Sequence, residues 1–349
     1  MGGLSEVARE TSFRSAARDT VARLHAMYRL DRLMERAVTT LRPIPPYDFD
    51  LTAAYATYFR GHYGAESFRD NVFRRLLDFG DRLCLVSVRS TGTIDSPLLE
   101  LEVQGAALDE TVVSEARRLV ARILGADQDM APFYGMAFED PMLARLARGL
   151  RGLHVPNTVS VYEALVLAIL GQQISSHVAR MLRTLLIQTY GPSLEVSAVT
   201  YHAFPRPQAL MAAGAEGLRS IKLSSRKARY IAEIAAGVAS GELDLESLRR
   251  KPDEDVIRTL TGLRGVGPWT AQWLLIRALG RTDGFPHGDL ALLRTMGSLL
   301  NAGSPLDADA ALAYSRRWSP FRSYVTTYLF AAVRSGRFTD LSQTGDGGP

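Results

Sequence analysis

The chain has 349 residues and a mass of 38.3 kDa, too long for one small module and long enough for two or three compact units with a sizeable core. Apolar residues make up 46% and charged residues 22%, which excludes wholesale disorder and collagen-like repetition; the single cysteine, Cys84, excludes a disulfide framework, a four-cysteine zinc site and an iron–sulfur cluster. The net charge is +4 and the pI near 9.2, which permits a polyanionic partner without requiring one.

Residues 1–42 carry eight arginines and five acids. Val21, Leu24, Met27, Leu30 and Leu33-Met34 recur at spacings of three and four, which predicts an amphipathic, helical N-terminal extension. Such a segment serves either as an arm on a DNA backbone or as an extension docked on its own domain or left mobile. Its opening residues contain no apolar core of a signal peptide, and no apolar run reaches the length of a membrane span. A soluble protein of a reducing cytoplasm is expected, with no membrane partner.

Pro43, Pro45 and Pro46 break the helix and open a new unit. A helical stretch is predicted from Leu51 to about Leu77. Residues 82–90 and 97–105 then alternate with period two, Leu99, Leu101 and Val103 against Glu100, Glu102 and Gln104, with Gly92, Asp95 and Ser96 between them as a turn. Residues 43–110 are therefore expected to form a small antiparallel β-sheet subdomain. From 111 to 335 the pattern is helical: 110–124, 141–150, 161–188, 207–213, 225–240, 253–260, 268–279, 289–299, 307–318 and 320–334. The polar, glycine-rich tail, 336–349, is expected to be disordered. The fold class is α+β, mainly α.

The most informative stretch is Leu260-Thr261-Gly262-Leu263-Arg264-Gly265-Val266-Gly267-Pro268-Trp269-Thr270-Ala271. Two glycines two apart allow a tight turn, and Pro268 suits the first position of the next helix. The result, within 255–280, is a helix, a hairpin and a helix. Its backbone N–H groups at Gly265, Gly267 and Thr270, with the Arg264 side chain, suit phosphate oxygens and are blind to base sequence. An ordinary helical corner would look the same. Trp269 and Trp273 share one helix face, and Asp289 follows the hairpin by 22 residues. As the first residue before an apolar run, Asp289 also suits a helix cap.

On this hairpin, the Gly-Pro after it and the aspartate at that spacing, the sequence resembles the helix-hairpin-helix DNA glycosylase superfamily, and within it the 3-methyladenine DNA glycosylase II family. Residues 45–49 (PPYDF), 169–175 (ILGQQIS), 223–228 (LSSRKA) and 318–324 (WSPFRSY) fit the same family, and the resemblance spans roughly 43–335. It implies a monomeric, nucleoid-associated enzyme that flips alkylated purines out of double-stranded DNA and hydrolyses the glycosidic bond in base-excision repair. Asp289 would be the catalytic carboxylate, and Trp269, Trp273, Phe321 and Tyr324 would line the base pocket. Each aromatic taken alone is equally a core residue. Gln172 and Gln173 would fill the gap left by the flipped nucleotide, or else form a helix-packing pair.

Relatives that also cleave the strand carry a nucleophilic lysine where this chain has Trp269, so the resemblance implies a monofunctional glycosylase that leaves an abasic site. It further implies no organic cofactor, and a monovalent cation on the backbone carbonyls of Leu263, Gly265 and Val266. A second reading stays open: a non-catalytic helix-hairpin-helix module that only grips DNA. His287, beside Asp289, suits either an acid–base group or a solvated turn residue.

Overall fold

The computed structural model describes residues 34–300 and 304–336. The sheet unit opens with strand β1 (Glu35–Leu41), followed by helix α1 (Phe49–Ala56) and strands β2 (His62–Tyr63), β3 (Glu66–Arg69), β4 (Val72–Asp78), β5 (Leu83–Ser90) and β6 (Leu99–Gly105). All pairings are antiparallel, in the order β1-β6-β5-β4-β3-β2. Helix α2 (Glu110–Ile123) closes the unit. The predicted alternation of β6 holds, with Leu99, Leu101 and Val103 buried against α1 and α2.

Two expectations fail here. The N-terminal extension was expected to be helical to residue 42, yet Glu35–Leu41 pairs along its whole length with β6, from Glu35 opposite Gly105 to Leu41 opposite Leu99. The run Val38-Thr39-Thr40 is β-branched and favours a pleated edge over a helix. Residues 1–33, which carry the rest of that expectation, lie outside the described residues, as does the tail from 337. The helix expected from Leu51 to Leu77 stops at Ala56. Beyond it, Gly61 and Gly64 take positive φ, and Asp70-Asn71 (φ 53° and 56°) makes the two-residue turn from β3 to β4. β4 is buried on both faces, so no alternation marked it as a strand.

The helical part runs α3 (Ala131–Glu139), α4 (Pro141–Gly149), α5 (Val161–Gly171) and α6 (Ser176–Tyr190). A hairpin of β7 (Ser193–Val196) and β8 (Val199–His202) follows and covers Leu76 and Leu85 on the outer face of the sheet. Then come α7 (Pro207–Ser220), α8 (Ser225–Ser240), α9 (Asp253–Thr261), α10 (Pro268–Arg277), α11 (Leu290–Leu300), α12 (Ala308–Ser315) and α13 (Arg322–Ser335). The continuous helix expected over 161–188 is broken at 172–175, where Gln173 turns left-handed (φ 55°) and Ser175 caps α6 by accepting from the Val178 N–H. Every residue of α5 from Val161 to Leu170 is buried, the apolar ones by packing and Glu163 in an ion pair with Arg75.

Three cores result: one around α5, α8, α9 and α10, one joining α3, α4, α11 and α13, and one beneath the sheet. A buried ionic network joins the sheet to the helices. Arg75 of β4 pairs with Glu66 of β3 and, at 2.6 Å, with Glu163 of α5; Arg183 of α6 lies 3.4 Å from Glu66. Among the described residues no helix is long and apolar enough to cross a membrane.

Candidate active site

The hairpin sits between α9 and α10. Gly265 takes φ 83°, and a Cβ there would meet Tyr230 Cδ2 at 2.1 Å, so both backbone and packing require glycine. Gly267 is different. Its φ is −102° and a Cβ would stand in open space, so the fold itself does not demand a glycine. The N–H groups of Gly265 and Gly267 make no hydrogen bond within the described residues, while Val266 N–H donates to Leu263 O at 3.1 Å. Two unpaired amides at a helix N-terminus suit an anion.

The neighbouring side chains are less free than the sequence suggested. Thr270 is buried, and its hydroxyl accepts from Gln172 Nε2 at 3.1 Å, which leaves only its backbone for a phosphate. The same Nε2 donates to Gly265 O at 2.9 Å. Gln172 is thus a tie between the end of α5 and the hairpin, which corrects its assignment as a gap-filling residue. Gln173 is exposed at the cavity mouth, with Oε1 accepting from Arg226 at 3.3 Å. Arg264 is exposed, 3.1 Å from Glu233. Lys227 Nζ donates to Leu170 O and Gln172 O at 2.8 and 2.6 Å, capping the C-terminus of α5; burial, then Arg226, holds its amine below the usual lysine range.

Beside the hairpin opens a cavity of about 1010 Å³. Trp269 and Trp273 line it, one turn apart on α10, with ring centroids 6.5 Å apart and planes at 25°. Asp289 lines it too. Its Oδ1 accepts from the Ala291 and Leu292 N–H groups at 2.9 and 3.1 Å, capping α11, and its Oδ2 accepts from the Trp269 indole at 3.0 Å. The two readings of Asp289 are therefore compatible: one oxygen caps a helix and the other points toward the aromatic wall. Its neighbour Leu290 is the most exposed large apolar residue of the described chain at 68% and stands on the rim.

Another part of the lining was not foreseen. It is built by Tyr58 and Tyr63, stacked at 4.2 Å, by Arg183 over the Tyr63 ring at 4.3 Å, and by Phe330 and Arg334. Arg334 lies 4.4 Å from the Tyr58 ring and 4.7 Å from that of Phe330. Phe321 and Tyr324, expected in the pocket, are elsewhere: they stack on each other at 6.0 Å and edge onto Phe133 in the second core, with Tyr324 only 5% exposed. Phe330 is six residues beyond Tyr324 and so faces another side of α13. The one sequence signal for this wall was Phe330 and Arg334 at a spacing of four. His287 does not line the cavity.

The sequence pattern of the "HhH-GPD superfamily base excision DNA repair protein" family matches residues 166–320. The chain is 30% identical over 264 residues to a DNA-3-methyladenine glycosylase of Bacillus subtilis, covering 76% of this chain and 87% of that one. It is 26% identical over 291 residues to DNA-3-methyladenine glycosylase 2 of Escherichia coli, covering 83% and 96%. The solved 3-methyladenine DNA-glycosylase from Archaeoglobus fulgidus superimposes with a TM-score of 0.74 at 27% identity, over 85% of this chain and 98% of that one.

Proposed function

From membership of the HhH-GPD superfamily of base excision DNA repair proteins, to which this chain belongs, we propose how its cavity performs the reaction. The protein is a DNA glycosylase of base-excision repair and its partner is DNA. In the proposed reading the substrate is an alkylated purine in double-stranded DNA, the enzyme is monofunctional, and it acts as a monomer. One observation carries it: a carboxylate, Asp289, bonded to the indole of Trp269 at 3.0 Å at the edge of a cavity walled by stacked aromatics.

The chemistry follows from these parts. A base inside a duplex is out of reach, so the nucleotide rotates into the cavity. Trp269 and Trp273 offer electron-rich faces to a base that alkylation has made cationic. As the glycosidic bond lengthens, positive charge grows on the sugar, and the fixed carboxylate of Asp289 stabilises it and orients the attacking water. The Gly265 and Gly267 amides, with the Trp269 and Thr270 amides of the first helical turn, hold a phosphate and set the register. Of the described residues lining the cavity none is lysine, which supports hydrolysis without strand cleavage. The carbonyls of Leu263, Gly265 and Val266 suit a monovalent cation. Those of Leu263 and Gly265 each accept one hydrogen bond already, which leaves a lone pair apiece.

The test is release of free base from methylated duplex by the wild type and by Asp289→Asn, with strand breaks scored before and after alkali. The expected result is release by the wild type, loss of at least about a hundredfold in the variant with binding retained, and breaks only after alkali. Binding by both proteins with base release by neither would leave only a DNA grip.

A further inference from the structure

Tyr58 has a conformation and surroundings that base stacking alone does not require. It and Phe59 are consecutive left-handed residues, φ 53° and 56°, a backbone that side chains other than glycine rarely adopt and that persists only where the surroundings impose it. The ring stacks with Tyr63 at 4.2 Å, and the Arg334 guanidinium lies 4.4 Å from its centroid. Its hydroxyl makes no hydrogen bond within the described residues and belongs to a residue that lines the cavity.

The charge around it is unbalanced. Arg75 and Arg183 are matched by Glu66 and Glu163. Arg277, 6.0 Å from the Tyr58 ring, and Arg334 have no carboxylate partner among the described residues. The titratable groups facing Tyr58 are Tyr55 on α1, Tyr63 on β2, Glu66 on β3, Arg183 on α6, Arg277 on α10 and Arg334 on α13. Burial alone would raise the phenol, but Arg277, Arg334 and Arg183 outweigh it and hold Tyr58 below the usual tyrosine range, with Glu66 opposing them.

This wall suits a leaving group that gains negative charge. A cationic alkylated purine departs neutral and needs no proton, and surplus guanidinium charge does not favour it. A neutral purine lesion departs as an anion unless it is protonated. We propose that Tyr58 is a general acid that protonates the departing base when that base is a neutral purine. The C1′–N9 bond breaks and its electron pair goes to the purine. The Tyr58 proton passes to a ring nitrogen, and the phenolate is stabilised beside Arg277 and Arg334. Water adds to C1′, and the proton it releases restores the phenol through solvent.

The proposal rests on the glycosylase reading, and the experiment separates the two. Single-turnover release is measured from duplexes carrying one hypoxanthine or one 7-methylguanine, for the wild type, Tyr58→Phe and Arg334→Gln. Tyr58→Phe is expected to lower the ratio of hypoxanthine to 7-methylguanine release about a hundredfold, the scale of general acid catalysis. A residue that only packs would lower both and leave the ratio. The acid must be protonated, so the wild-type hypoxanthine rate falls as pH rises through the Tyr58 titration. That limb is expected to vanish in Tyr58→Phe and to move to higher pH in Arg334→Gln. An unchanged ratio, an unmoved limb, or wild-type release of 7-methylguanine without hypoxanthine overturns the proposal. Release of neither base overturns the glycosylase reading as well.

Discussion

Asp289 shows why a residue's role is hard to assign from its neighbours in sequence. An aspartate before an apolar run is ordinarily a cap, and here it is one, through Oδ1; only the fold brings the Trp269 indole to Oδ2. The hairpin glycines divide in the same way. Gly265→Ala is expected to destabilise the fold by roughly 1–3 kcal/mol, because Tyr230 must move and φ stays positive. Gly267→Ala should leave the melting temperature near wild type, since its Cβ would enter open space, and under the proposed reading should weaken binding of undamaged duplex. Thermal melts beside a binding titration check both. The tryptophans and the aspartate were legible because one helix and one short return carry them. Tyr58, Tyr63 and Arg183 were not, because they come from other parts of the chain and share only the lining of the cavity with the tryptophans.

At the scale of elements, the sheet is fastened to the helices by charge as well as by apolar packing. Arg75→Met would leave Glu66 and Glu163 buried with Arg183 as their sole cation in the network. The expected loss is about 3–5 kcal/mol in urea unfolding, the cost of breaking a buried pair from one side. An unchanged midpoint would mean that the network is solvated. Element boundaries were legible wherever amphipathic period and caps coincided, as at α8, which spans 225–240 as expected. They failed where burial erased the period. β4 carries Phe73, Arg75, Leu76 and Leu77 all buried, a pattern that fits a helix equally well. The break between α5 and α6 depends on a single left-handed glutamine, which no propensity would foretell.

Across the whole molecule, the cavity draws its walls from the sheet unit, from the helices around α5 and from α13, so no segment holds a complete site by itself. The α+β class was legible from where period two gives way to helical period, but the meeting of its parts was not, because it depends on contacts far apart in sequence. A net charge of +4 predicts that binding of undamaged duplex weakens as salt rises. If Arg264 contacts a phosphate, Arg264→Gln should reduce the slope of log affinity against log salt by about one. An unchanged slope would leave Arg264 to its pair with Glu233.

The tie made by Gln172 has a further consequence. Its amide holds both Gly265 O and Thr270 Oγ1, while the Tyr230 ring supports Gly265 from below. These contacts hold the hairpin in one shape, so that under the proposed reading capture of a phosphate loses little conformational entropy there. Gln172→Ala should shift that loss into the binding step, making association with plain duplex more exothermic and more entropically opposed at similar affinity.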